Sequence, residues 1–164
     1  TGGITVKLKY KNFDFETYLY TSQGNDIYHA AKLFSDFYPT FAGAAISERV
    51  KNSWSPDNRG ASLPIFESAS NFSTNTQSNS FYVEDGSYWR LQNISLGYTL
   101  PAGILQNLKM TKLRFFVAVN NVFTITDYTG LDPAVGGQAD TNFGIDVGNY
   151  PVTRSYTAGL NLAF

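Results

Sequence analysis

The chain has 164 residues, a formal charge of −1, no cysteine and a single histidine, His29. Its 12 Lys+Arg against 13 Asp+Glu leave no basic face for nucleic acid, and without cysteine neither a disulfide framework nor a thiolate metal site can be built. No run of about 18 apolar residues occurs, which excludes a transmembrane helix but not a β-barrel, whose strands alternate.

Aromatic residues make up 16% of the chain, a share that suits a barrel with two aromatic girdles or a sugar-binding surface. Thr1-Gly2-Gly3 leads straight into a strand with no signal peptide, so the chain reads as part of something longer. From Ile4 to Tyr10 the pattern alternates, with Ile4, Val6, Leu8 and Tyr10 opposite Thr5, Lys7 and Lys9. Lys11-Asn12 is a tight turn. A second strand runs from Phe13 to Thr21, placing Phe13, Phe15 and Leu19 opposite Asp14, Glu16, Tyr18 and Tyr20. Lys7, Lys9, Asp14 and Glu16 share the polar faces of the pair, where cross-strand ion pairs are expected.

From Ser22 to Gly86 the alternation dissolves into a Ser-, Asn-, Gly- and Pro-containing loop. A loop of this length in a compact domain is expected to be functional. Aromatics punctuate it, and a short helix is expected near Ala44 to Ser53. Asn71 to Ser80 is a polar, low-complexity stretch.

The third strand, Ser87 to Leu100, changes phase near Gln92-Asn93: Trp89 and Leu91 share one parity, Ile94, Leu96 and Tyr98 the other. That shift predicts a β-bulge. A connection with a helical turn at Gly103 to Leu108 leads to a fourth strand, Lys112 to Phe123. A second long loop, Thr126 to Pro151, precedes the final strand. There Tyr156, Ala158, Leu160, Leu162 and Phe164 oppose Ser155, Thr157, Gly159, Asn161 and Ala163. The nine residues from Tyr156 to Phe164 rise roughly 30 Å, and a tilt near 45° reduces this to a little over 20 Å, close to the apolar band of an outer-membrane barrel. Ending on an aromatic ring fits the girdle of such a barrel, so Tyr156, Leu160, Leu162 and Phe164 are the candidate membrane-insertion signal.

Short and long connections alternate, so short turns lie at one end of the strands and long loops at the other, as in outer-membrane barrels. Five strands do not close a barrel, and lipid does not tolerate open edges. The chain is therefore expected to be part of a larger barrel. The alternatives are a soluble β-sandwich module that binds carbohydrate through loop aromatics and a small closed barrel formed by several copies of this chain.

No catalytic constellation stands out: His29, with Ser22 and Asp26 near it in sequence, lies in a loop without a nucleophile motif. No cofactor is expected. Glu84-Asp85-Gly86, Asp132, Asp140 and Asp146 offer oxygen ligands for a structural Ca²⁺, but in no recognised loop spacing, and turn-forming Asp is the plainer reading. The outer-loop aromatics Trp54, Tyr38, Phe41 and Phe66 are better ligand candidates, because sugar C–H faces and apolar side chains stack on rings. Their plainer role is to hold a long loop together. Arg90, Gln92, Arg114 and Asn120 are expected to face the lumen.

Three stretches carry a family resemblance: EDGSYWRLQNISLGYTLP (Glu84 to Pro101), LRFFVAVNNVFTITDYTGLDP (Leu113 to Pro133) and YPVTRSYTAGLNLAF (Tyr150 to Phe164). YKNFDF (Tyr10 to Phe15), GNDIY (Gly24 to Tyr28) and WSPDNRGASLP (Trp54 to Pro64) extend it over nearly the whole chain. Together they resemble the carboxy-terminal end of SusC-type TonB-dependent outer-membrane transporters. The resemblance implies an all-β chain: the last five antiparallel strands of a transmembrane barrel of about 22 strands, with the plug domain elsewhere. It further implies import of oligosaccharides or peptides across the outer membrane of a Gram-negative cell. A SusD-type lipoprotein would cap the barrel, the TonB complex would supply energy through parts not present here, and outer-membrane lipid would surround it.

Overall fold

A computed structural model describes residues 1–36, 45–66, 77–107, 110–135 and 143–164. The chain divides into two compact units. The first comprises Thr1–Asn25, Ser87–Asp127 and Pro151–Phe164; the second comprises Asp26–Gly86 and Tyr128–Tyr150.

The first unit is one antiparallel sheet of five strands. In chain order they are β1 (Gly2–Tyr10), β2 (Phe13–Ser22), β5 (Tyr88–Thr99), β6 (Lys112–Thr126) and β8 (Ser155–Ala163), and the same order runs across the sheet. The second unit holds β3 (Asp26–His29), β4 (Val83–Asp85) and β7 (Ile145–Asp146).

Register sorts the side chains of the large sheet into two faces. Leu8 pairs with Phe15, Phe15 with Leu96, Leu96 with Val117 and Val117 with Ala158. One apolar row thus crosses all five strands. The neighbouring row, Lys7, Glu16, Ser95, Ala118 and Thr157, is polar or small. The apolar face is exposed, with Leu8 at 61%, Val117 at 54% and Tyr156 at 73%. Burying one such side chain is worth about 2 kcal/mol, so this face is made for a solvent other than water. In a β-sandwich a second sheet would cover such a face.

Tight connections hold one end of the sheet. Lys11 takes φ 52° in the turn after Tyr10, and Asn12 accepts from Thr99 N–H at 2.8 Å. Between β5 and β6, Pro101 opens helix α2 (Ala102–Asn107), whose Leu105 is buried. The expected turn at Gly103 to Leu108 is this helix, though Leu108 lies outside the described residues.

The bulge appears where the phase change placed it. Pairing shifts between Leu91 and Asn93, leaving Gln92 outside the β2–β5 register. On β6 two residues, Asn121 and Val122, stand opposite Gln92. Asn121 has φ 52°, a region Asn enters at lower cost than most residues. β6 continues to Thr126, three residues beyond its expected end.

In the second unit β3 lies between β4, antiparallel, and β7, parallel. Ile27, Leu63, Tyr82 and Tyr128 form its apolar core. Helix α1 (Lys32–Ser35) follows β3. The helix expected over Ala44 to Ser53 is a shorter 3₁₀ segment, Glu48–Asn52, because Ser47 caps it by accepting from Arg49 N–H and the chain turns extended at Ser53. Ala44 lies outside the described residues. Among the described residues, no helix is long and apolar enough to cross a membrane.

Candidate functional site

Two regions carry the polar chemistry: the polar face of the sheet and the interior of the second unit. On the sheet, Arg114 lies over Gly97 and grips both carboxylate oxygens of Asp14. Asp14 pairs with Gly97 in register, so the guanidinium crosses β5 to reach β2. Only a residue without Cβ leaves room for it. Phe116 lies over Gly159 in the same way, and Tyr18 over Gly3. Large side chains are thereby laid flat along the wall.

Of the four residues expected on the polar face, three stand in its register rows: Arg90 opposite Tyr20 and Thr124, Arg114 opposite Asn161, and Asn120 opposite Asn93. Arg90 is only 4% exposed; it donates to Thr124 Oγ1 at 2.8 Å and stacks on the Tyr88 ring. Asn93 donates to Asn120 at 2.8 Å. Gln92 is the bulge residue and belongs to no row. Tyr156, Leu160 and Leu162 lie on the apolar face of β8, and Phe164 follows its end.

In the second unit, Glu84 is a hub. Its Oε1 receives Lys32 Nζ at 2.5 Å, His29 Nδ1 at 2.9 Å and the Thr129 hydroxyl at 2.8 Å, while Oε2 accepts from Thr129 N–H at 2.8 Å. Burial alone raises the Glu84 pKa and is the largest single influence, but these donors together outweigh it and hold the group at about 2. Lys32 is itself buried, with its ammonium near the Phe81 carbonyl and ring.

Tyr128 donates to Asp146 Oδ2 at 2.5 Å, and the Gly148 and Asn149 amides fill Oδ1. Burial foremost, then this carboxylate, pushes the Tyr128 hydroxyl pKa up. Burial acts to raise the Asp146 pKa, but Tyr128 and the two amides leave it below the ordinary value. Arg49 pairs with buried Asp36 at 2.8 Å and donates to Thr129 Oγ1 at 3.1 Å. The arrangement ties residues 29–84 to residues 128–149, and its chemistry is that of a clamp.

The remaining sequence candidates have the following surroundings. Glu84 and Asp146, offered to a cation, are engaged by protein donors, and Asp132 accepts from the amide of Ala134. Asp85 sits in β4 opposite Asp26, and Asp140 lies outside the described residues. His29 faces Glu84, and Ser22 donates to Asn25. Trp54, 40% exposed, stands at the neck of a closed loop. Its N–H donates to Leu63 C=O at 2.9 Å, and Asn58 ties back to Ser55 and Asn52. Phe66 is 36% exposed; Tyr38 and Phe41 lie outside the described residues. Lys32, Asp36, Arg49, Tyr128 and Thr129 gave no signal in sequence, since their roles depend on contacts far along the chain.

A two-faced antiparallel sheet with an exposed apolar side and two open edges, β1 and β8, is the wall of a β-barrel seen in part. No protein-family model matches the chain. Over its whole length it is 37% identical to TonB-dependent receptor P3 of Formosa agariphila, covering 16% of that protein. TonB-dependent receptor SusC of Bacteroides thetaiotaomicron is 30% identical over 99% of the chain, which covers 15% of SusC. Among solved structures, the RagAB peptide importer in its open-open state superposes with TM-score 0.78 at 24% identity, covering 99% of this chain and 17% of that one. Its closed-closed state gives 0.79 at 23% identity, with the same coverage. The chain is a homologue of SusC-type TonB-dependent receptors, matching about one-sixth of their length, and its fold is that of a section of their β-barrel.

Proposed function

We propose that these residues form wall and outer loops of an outer-membrane transporter that binds oligosaccharides or peptides and imports them, acting as a transporter and not as an enzyme. The apolar row running unbroken from Leu8 to Ala158, with a polar row beside it, carries this reading. Lipid solvates the first face, and the barrel interior solvates the second, on which Arg90, Arg114 and Asn120 stand. Strands β1 and β8 pair with further strands of the same barrel, because lipid leaves no unpaired edge. The final strand, with Tyr156, Leu160, Leu162 and Phe164, serves as the insertion signal.

By analogy with the receptors it matches, energy comes through TonB, a SusD-type lipoprotein caps the barrel, and the cell is Gram-negative. Trp54 and Phe66 are the described aromatics offered to cargo or to the lid. Deletion of the full-length gene tests the proposal. Uptake of one oligosaccharide or peptide should stop, and should stop equally when TonB is removed. Recovery of the full-length protein in the soluble fraction, or uptake that ignores its deletion, would sink the reading.

A further inference from the structure

The apolar face of the sheet is not uniform. At the tight-turn end one register row crosses all five strands: Tyr10, Phe13, Tyr98, Phe115 and Leu160. The Phe13 and Tyr98 rings meet with centroids 4.7 Å apart. Beside this aromatic row runs the aliphatic row from Leu8 to Ala158. A groove of about 480 Å³ lies along the two. The aromatic row lends Phe13, Tyr98 and Phe115 to its lining, and the aliphatic row lends Leu96, Val117 and Ala158. Ala158 opens it, because Tyr156 and Leu160, its neighbours on that face of β8, are both long. Neither row contains a charged residue. One cation borders them. Lys11, exposed on the turn between β1 and β2, holds its ammonium 5.4 Å from the centre of the Tyr10 ring, at the end of the aromatic row. Among the described residues it makes no ion pair.

We propose that the groove holds an acyl chain of a bound phospholipid and that Lys11 takes its phosphate. This rests on the reading of the apolar face as lipid-facing, with the tight turns at the periplasmic leaflet. Lipid tails are as apolar as the wall, so aversion to water does not fix a chain here. Shape and charge do. An unfilled hollow forfeits the dispersion contacts of its lining, and a flexible chain restores them. Lys11 adds attraction for an anionic headgroup at the membrane surface, level with Tyr10 in the row where an aromatic belt would sit. A molecule with hydrocarbon at one end and an anion at the other satisfies both features. Phospholipid is the amphiphile of that leaflet.

The test uses the full-length receptor, extracted from its own membrane in a mild detergent. Native mass spectrometry should show a phospholipid retained on the folded barrel. Ala158→Phe fills the groove, and Lys11→Glu reverses the charge beside it. Each should lower the retained fraction about tenfold. Dioleoyl phosphatidylglycerol added to delipidated receptor should rebind to the wild type and not to either variant. Val6→Phe, on the same face but outside the lining, should leave retention unchanged. A heat-modifiable band on a gel shows that each variant is folded; Lys11→Glu, on an exposed turn, decides the matter where Ala158→Phe does not fold. Retention as in the wild type by either folded variant overturns the proposal. So does a lipid-free groove, a fatty acid or lipopolysaccharide in place of phospholipid, or a lipid-free dimer that Ala158→Phe dissociates. Cysteines placed at Val6 and Val119 keep the two readings apart. Their reaction with a water-soluble maleimide in intact membranes sinks the lipid-facing reading itself, whereas inert cysteines without retained phospholipid sink only the groove.

Discussion

Thr129 donates both its amide and its hydroxyl to the carboxylate of Glu84, at 2.8 Å each, across 45 residues of sequence. With Lys32 and His29 on the same carboxylate, the pair closes the second unit. The Glu84 pKa falls from an ordinary 4.5 to about 2. A depressed carboxylate stabilises the folded state fully above its unfolded pKa, and that stability is lost as pH falls through the folded value. The clamp should therefore be intact at pH 7 and weaken between about pH 4.5 and 2, by about 3 kcal/mol at the limit. Hydrogen exchange at residues 83–85 and 128–129 in the full-length receptor should rise over that window. Exchange that stays flat down to pH 2 would show that Glu84 is not the closing group.

Arg114 owes its reach to the absence of a side chain at Gly97. Gly97→Ala places a methyl group where the guanidinium lies, so the Asp14 pair must open. The expected loss is about 1–3 kcal/mol, read as a lower unfolding temperature of the barrel in detergent. In an Arg114→Ala background the same change should cost almost nothing. Equal losses in both backgrounds would mean that Gly97 serves the strand and not the ion pair.

The large sheet was largely legible in sequence and the small unit was not. Strands of nine or more residues repeat their alternation several times, so β1, β2, β5 and β8 appear within two residues of their expected bounds. The bulge showed on β5, where the apolar parity changes between Leu91 and Ile94. Its partner on β6 stayed hidden because Val119 and Phe123 keep the same parity across Asn121. Strands β3, β4 and β7 have four, three and two residues, too few to show a period. Their unit is held by a buried Lys, His and Asp around a part-buried Glu, residue types that a sequence assigns to the surface. The short strand near Tyr28 and the EDG stretch lay in the segments quoted for the family resemblance, yet nothing local paired Lys32 with Glu84.

Trp54 is held in place by its own loop. The bridge from Ser53 to Leu63, the bond to Leu63 C=O and the Asn58 ties fix its backbone while its ring is part exposed. A ring fixed in advance loses little freedom on binding. If the proposed import function holds, Trp54→Ala should weaken cargo binding, or capture of the lid, about tenfold, matching about 1.4 kcal/mol for a stacked aromatic. The unfolding temperature should not move. Titration calorimetry on the full-length receptor decides it; unchanged affinity for both cargo and lid would remove Trp54 from the site.

Thr157 and Ala158 are neighbours on β8, both exposed, and differ in the face they occupy. Ala158 pairs with Val117 in the apolar row and Thr157 with Ala118 in the polar row. If the apolar row meets lipid, a lysine at Ala158 must hold its charge in hydrocarbon, at a cost of about 2–4 kcal/mol near the midplane. A lysine at Thr157 meets the hydrated interior and should cost far less. Ala158→Lys should thus fold poorly into vesicles, seen as loss of the heat-modifiable band on a gel, while Thr157→Lys should keep it. Local strand propensity is nearly the same for the two variants, so the contrast reports the solvent on each side. The reverse order would place lipid against the polar row, and equal tolerance would place water on both sides.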